Sequence, residues 1–202
     1  MVTVVCVEVG NYLGRGREYV EKLRGSVARH LKAPHEFVIV TDDPRRHPIG
    51  SNFRSVEPGL VGWWVKCQLF KHGLFEGRVL YLDLDTVIVG PLDPIAEAKG
   101  ILYLSQWGWD KHTYGSGVMC WDAGEHRDVW NLYTNQVPLW HQGDQDWITK
   151  IGGWPSLPMY RLKSYRYHCK KGVPPGTSVV CFHGKPRPHE VSDRFVLDHW
   201  KA

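Results

Sequence analysis

Two aspartates, Asp83 and Asp85, follow the apolar run Val79-Leu80-Tyr81-Leu82 with one residue between them. In an extended strand, residues i and i+2 share a face, so the two carboxylates are expected to project the same way. Like charges that close repel, and each is costly beside an apolar core. A hard divalent cation relieves both problems, and Mg²⁺ or Mn²⁺ favours such oxygen ligands. The alternative is that the two aspartates only cap a turn through their own backbone. A second chemical feature lies further along. Between Asp146 and Glu190 there is no acidic residue, whereas Lys150, Arg161, Lys163, Arg166, Lys170, Lys171, Lys185 and Arg187 all fall there. That stretch is either a solvated basic face or a surface that receives a diphosphate or an anionic acceptor.

The segment YLDLDT at 81–86 resembles the Asp-x-Asp motif of glycosyltransferases with the GT-A fold, in particular the glycogenin-like family 8. Four further pieces, one upstream and three downstream, stand in the order that family shows. Lys66 sits where it places a lysine on the donor diphosphate. Gly115-Ser116-Gly117-Val118 is similar to its Asn-Ser-Gly-Val segment, which lines the sugar pocket. Gly143-Asp144-Gln145 is similar to its Gly-Asp-Gln segment beside the reacting carbon. The stretch from Cys181 to Pro188 (CFHGKPRP) resembles its terminal His-x-x-Gly-x-x-Lys-Pro signature. One Asp-x-Asp is a weak signal, but ordered pieces spread over most of the chain are a specific one.

The resemblance implies a metal-dependent hexosyltransferase using a nucleotide-diphosphate sugar, a UDP-sugar, with Mn²⁺ or Mg²⁺ and with retention of anomeric configuration. It places Lys66, Asp83, Lys185 and Arg187 at the diphosphate, and Val9, Gly10, Asn11 and Tyr12 at uracil and ribose. Tyr12 could stack on the base or pack on the following helix, and Asn11 could bond the base or only supply the turn. Thr41 and Asp42 are lesser candidates of the same kind. Ser116, Gly117 and Asp144 are expected at the sugar, with Asp144 and Gln145 as the catalytic pair; Asp144 could equally be a helix N-cap. Two departures stand out. Gly115 replaces the family's asparagine. Aligned on Gly184 and Pro188, the family's metal-binding histidine falls on Cys181, while His183 lies two residues later and would face the same side of a strand. Neutral imidazole suits Mn²⁺ better than a thiol, so Asp83, Asp85 and His183 are the expected metal ligands. A histidine merely hydrogen-bonded at a strand end is the alternative.

The acceptor is less defined. A glycan or lipid-linked glycan is the default, while the basic, aromatic run from Tyr160 to Lys171 leaves room for a modified base in DNA. Trp107, Trp109 and Tyr114 could form an acceptor platform or could be packing. Two other readings compete. Asp83-Leu84-Asp85-Thr86-Val87 also resembles the nucleophile motif of haloacid-dehalogenase-type phosphatases, although that strand normally opens its domain. A non-catalytic carbohydrate or sugar-nucleotide binding protein would keep the fold without turnover.

The elements that must carry these residues read as one α/β domain with a central, mostly parallel sheet flanked by helices. Residues 1–90 form its nucleotide-binding half and 91–202 its sugar and acceptor half. Strands are expected at 3–9, 37–41 and 79–90, then at 101–105, 117–121 and 178–183. Apolar Tyr19, Val20, Leu23, Val27 and Leu31 mark one face of a helix over 15–31, which makes a parallel βαβ unit. Further helices are expected at 60–76, 125–135, 144–151 and 192–200, the last capped by Ser192. The stretch 152–177 is a functional loop or hides short strands. With 202 residues, a net charge of +4 and ten tryptophans, the chain suits a globular protein with aromatic platforms. The N-terminal segment reads as a strand rather than a signal peptide, and no apolar run is long enough to span a membrane. The five cysteines are unpaired by motif, as expected of reduced thiols in a cytoplasmic protein.

Overall fold

The structure, a computed structural model, describes residues 1–103, 114–134, 136–140, 143–151 and 153–202. It opens with the expected unit: β1 (Val2–Glu8), α1 (Gly16–His30) and β2 (His35–Thr41), with β1 and β2 parallel from Val2 against His35 to Glu8 against Thr41. Tyr19, Val20, Leu23 and Val27 are buried along α1, as their spacing requires. A short strand that sequence reading missed, β3 (Asn52–Ser55), extends the sheet beyond β2. The segment Gly62–Phe70 is a 3-10 helix rather than the longer helix expected over 60–76. Residues three apart eclipse in that geometry. Trp63 and Lys66 therefore share a side, while Trp64, Cys67 and Phe70 are buried in the core.

The strand expected over 79–90 is two strands in two sheets. β4 (Arg78–Leu82) pairs parallel with β1, and β5 (Thr86–Ile88) leaves for a second sheet. Asp83 and Asp85 lie in the turn between them, so strand alternation is not what sets their directions. The turn is held by Thr86, whose N–H and hydroxyl both donate to the Asp83 carbonyl, at 3.1 and 2.8 Å. Beyond α2 (Asp93–Glu97) come β6 (Gly100–Tyr103) and β7 (Tyr114–Asp122). The main sheet has the order β3-β2-β1-β4-β7-β6, in which β7 runs against both its neighbours.

Where one helix was expected over 125–135, α3 spans only Asp128–Asn131; α4 (Val137–Trp140) and α5 (Asp144–Ile151) follow. The stretch that resisted assignment contains β8 (Leu162–Ser164) and α6 (Tyr165–His168). β9 (Val179–Cys181) lies between β5 and β8, antiparallel to the first and parallel to the second. The chain ends on α7 (Arg194–His199), whose N-cap is Asp193 and not Ser192.

The main sheet carries apolar side chains on both faces, as a covered sheet must. Val4, Cys6, Leu80, Leu82, Val118 and Cys120 pack with α1, the second sheet and Trp200. On the other face, Val5, Val79, Tyr81, Met119 and Trp121 pack against Trp64, Phe70, Trp147 and Trp154. Five of the tryptophans are thus core residues rather than platforms. All five cysteines are buried free thiols. Among the described residues, no helix is long and apolar enough to cross a membrane.

Candidate active site

The register of the two sheets decides what meets at the site. In the second sheet Thr86 lies opposite Cys181, and Cys181 beside Ser164. The turn before β5 and the segments after β8 and β9 therefore share one edge. That edge sits at the carboxyl end of β4, where α/β sheets place ligands. Two cavities open there, of about 300 and about 340 Å³, with Trp63, Lys66, Asp83, Asp85 and Arg187 as their common wall. Val9 and Tyr12 line the first; Ser116, Gly117, Asp144, Gln145, Cys181 and His183 line the second. Together they form a two-lobed cleft.

Lys66 is the hub of a polar group that reaches into the second lobe. Its ammonium lies 2.8 Å from Asp83 Oδ1 and 3.4 Å from Asp144 Oδ2, and donates to the Ser116 hydroxyl at 3.1 Å. Burial alone would pull its pKa down, but the charges of Asp144 and Asp83 outweigh that and hold it above the ordinary lysine value. Ser116 in turn donates to Asp144 Oδ2. Asp144 opens α5, yet its carboxylate is spent on Ser116 and Lys66 rather than on an N-cap. Tyr81 donates to Asp83 Oδ1 at 2.6 Å; burial, then the charge of Asp83, keeps this phenol protonated. Gly117 lies close to the pair: a Cβ there would stand 3.1 Å from Asp83 Oδ2.

Asp85 is the more buried of the pair and accepts from the Tyr12 hydroxyl at 3.1 Å and from Arg187. Burial, and then the charge of Asp83, pushes its carboxyl up to about 7. Tyr12 therefore faces the cleft, with the Arg187 guanidinium 5.9 Å from its ring centre. His183 lies beyond the end of β9, not on it; its Nε2 is 2.6 Å from the Ser164 hydroxyl and its ring stacks on Tyr167 at 5.7 Å. Burial, then Arg166 and Arg187, lowers its pKa and leaves a neutral imidazole. Burial and the charge of Asp85 raise the Cys181 thiol instead. Of the two, His183 is the better ligand for a hard ion. Among the described residues no three His, Cys, Asp or Glu side chains stand close enough to hold an ion together. In donor chemistry alone, the two carboxylates and the neutral imidazole that line the second lobe are of the kind Mn²⁺ or Mg²⁺ takes.

Other candidates are not brought to the cleft. Lys185 is exposed, and only its carbonyl is engaged, by Arg166 at 2.7 Å. The Gly10 N–H donates to Asp42 at 3.1 Å. Asn11, in the left-handed region with φ 53°, uses its side-chain oxygen to accept from Gly16 N at 3.2 Å. It thus supplies the turn, and Thr41 donates to Glu8. Trp107 and Trp109 lie outside the described residues, and Tyr114 donates to the Trp154 carbonyl at 3.3 Å.

Two residues were missed. Glu8 is fully buried at the end of β1 and accepts from Tyr12 N, Thr41, Arg46 and His47, at 3.2, 3.2, 2.9 and 3.1 Å. It thereby fixes the turn that carries Tyr12. A charged residue closing an apolar strand was the signal. Trp63 lines both lobes while 58% exposed. Its three-residue spacing from Lys66 on the expected helix was the signal, since residues three apart share a face.

No protein-family model and no curated protein sequence matches the chain. Solved structures do. The galactosyltransferase LgtC, in complex with donor and acceptor sugar analogues, is similar over 92% of this chain and 88% of its own, at 15% identity and a TM-score of 0.65. The glycosyltransferase GlyE of Streptococcus pneumoniae TIGR4 is similar over 93% of this chain and 56% of its own, at 16% identity and a TM-score of 0.65. The bifunctional glycosyltransferase WbbM is similar over 98% of this chain and 48% of its own, at 13% identity and a TM-score of 0.61. At such identities the likeness is one of fold, and it agrees with the resemblance seen in the sequence: the chain has the GT-A fold of glycosyltransferases.

Proposed function

We propose that the chain is a metal-dependent glycosyltransferase that moves a hexose or similar sugar from a nucleoside-diphosphate donor, a UDP-sugar, to an acceptor with retention. The carrying observation is the single cleft on which Lys66, Asp83, Asp85, Ser116, Asp144 and Arg187 converge. Residues 1–90 supply its nucleotide half and 91–202 its sugar and acceptor half.

When the donor breaks, negative charge develops on the departing diphosphate, and the site must stabilise it there. Lys66 and Arg187 are fixed cations on the wall common to both lobes. Lys66 stays protonated because Asp144 and Asp83 hold it so. Asp83, Asp85 and His183 would hold Mn²⁺ or Mg²⁺, which when bound supplies Lewis-acid stabilisation of the leaving group. Tyr12, held by Glu8 through its N–H and by Asp85 through its hydroxyl, offers its ring to the base, and Val9 adds apolar contact. On the other side Ser116 and Asp144 meet the sugar's hydroxyls, Gly117 leaves room beside Asp83, and the Gln145 amide lies near the anomeric carbon. Lys185 would join only by swinging in from the rim.

The phosphatase alternative requires the strand before Asp83 to open the domain. Here β4 follows β1, α1, β2 and β3. The test is donor hydrolysis: with Mn²⁺ the chain should release UDP slowly from a UDP-sugar, and Asp85→Asn should abolish this. Turnover of p-nitrophenyl phosphate with Mg²⁺ and none of UDP-sugar would overturn the reading.

A further inference from the structure

The rim of the cleft carries a feature that donor chemistry does not use. From 147 to 189 the chain contains no acidic residue, and the second sheet folds this stretch so that its parts meet. Because β8 and β9 are parallel, the segments leaving them, 165–171 and 182–187, lie side by side. Arg166 reaches across to the Lys185 carbonyl at 2.7 Å, and Tyr167 stacks on His183, itself a wall residue of the sugar-side lobe. Tyr167 is 47% exposed, and Arg166, Lys170, Lys171 and Lys185 are exposed around it. At the opposite end of β8, Tyr160 is 62% exposed with the Arg161 guanidinium 5.0 Å from its ring centre. β8 is the edge strand of its sheet. Two stations, each an exposed tyrosine next to an arginine in sequence, thus bracket one sheet edge, at the two ends of the three-residue strand β8. The acids that follow the stretch are engaged: Asp193 accepts from Tyr165, and Glu190 from Arg187 N.

We propose that this edge is a docking surface for single-stranded nucleic acid, its bases stacked on Tyr160 and Tyr167 and its phosphates met by Arg161, Arg166, Lys170 and Lys171. Flat rings alternating with cations are what an unpaired strand recognises, since every base has a stackable face and every linkage a charge. A membrane surface is the weaker match. Among the described residues, the large hydrophobic side chains exposed between 147 and 189 are these two tyrosines, with no aliphatic one to enter a bilayer. The surface starts at the mouth of the sugar-side lobe, so a strand held there would lie against the acceptor side of the cleft.

The test is fluorescence anisotropy of the full chain with a labelled single-stranded oligonucleotide across a salt series. Binding should weaken with salt, and Tyr167→Ala and Tyr160→Ala should each weaken it roughly tenfold. Lys170→Glu with Lys171→Glu should lower the salt slope by about 0.7 for each phosphate that is no longer neutralised. Tyr160→Ala and the double lysine variant alter exposed side chains that touch no residue of the donor site, and should keep the wild-type melting temperature and nucleotide response, so failure here is separable from failure of the donor reading; Tyr167→Ala, whose ring packs on His183, is read for strand binding alone. Three results would each overturn the proposal. They are binding no stronger than to neutral dextran, equal binding of heparin with the tyrosine variants unaffected, or preference for anionic phospholipid vesicles over the strand.

Discussion

Replacing Lys66 with methionine tests the electrostatic frame of the site most severely. The side chain is 11% exposed, and its ammonium holds Asp83 at 2.8 Å and Asp144 at 3.4 Å. At an effective dielectric of about 20 these distances correspond to gross attractions of about 6 and about 5 kcal/mol. The cost of burying the ammonium offsets much of that, and Asp83, 31% exposed, is partly screened by water. Removing one partner of a buried ionic group typically costs about 3–5 kcal/mol, and the lower end is expected here. Lys66→Met should lower the unfolding free energy by about 3 kcal/mol in urea titrations near pH 8. Neutralising Asp144 in the same chain should recover part of the loss, with a coupling of about 1–3 kcal/mol. Since the folded-state pKa of Lys66 is raised, its contribution is complete below the ordinary lysine value and is lost only as pH rises through the raised one. The loss should therefore be the same at about pH 8 and about pH 9. A change below about 1 kcal/mol, or strict additivity with Asp144→Asn, would refute the reasoning.

Three further outcomes follow from the same geometry. Asp85 is held near 7 by burial and by Asp83, so the ligand-free protein loses stability as pH rises from about 4 through about 7. Asp85→Asn, which removes that titration, should flatten the fall in stability between about pH 4 and about pH 7 in urea melts, while removing the response to metal and nucleotide; an unchanged pH profile would contradict this. Gly117→Ala sets a methyl 3.1 Å from Asp83 Oδ2 in a strand that otherwise prefers alanine. Steady-state kinetics should show a loss on the order of tenfold in kcat/KM with melting unchanged, and full activity would show that the approach does not matter. Gly16→Ala would drive a Cβ to 2.2 Å from the buried Glu8 carboxylate, so despite alanine's better helix propensity it should cost about 1–3 kcal/mol in urea melts; a stabilised variant would contradict the packing.

How far the sequence revealed this site varies residue by residue. Helix α1 was legible because its apolar residues follow helical spacing and nothing distant alters that. Asp83 and Asp85 were legible as a pair, whereas the turn that carries them was only the alternative reading. Apolar residues continue through Val87 and Ile88, and the chain changes sheets only because Thr86 pairs with Cys181, almost a hundred residues away. β3 and β8 escaped notice since NFRS and LKS have little apolar content and lie at sheet edges. The helix under Lys66 was seen, but its 3-10 form depends on near-complete burial of Trp64 through Phe70, which a local pattern does not report. Glu8 drew no reading because the groups that bury and pair it, Arg46 and His47, lie far along the chain from β1. For the proposed third metal ligand, alignment offered both Cys181 and His183; both line the same lobe, and the choice of the histidine rests on the chemistry of imidazole.

The measurement closest to the central claim is a thermal-shift panel of UDP, GDP and dTDP, with and without Mn²⁺, on wild type and Asp85→Asn. UDP with Mn²⁺ should raise the melting temperature of the wild type, neither component alone should do so to the same extent, and Asp85→Asn should not respond. No shift with any nucleotide in the presence of metal, or an undiminished shift in Asp85→Asn, would contradict the assignment of this cleft to a nucleotide-sugar donor.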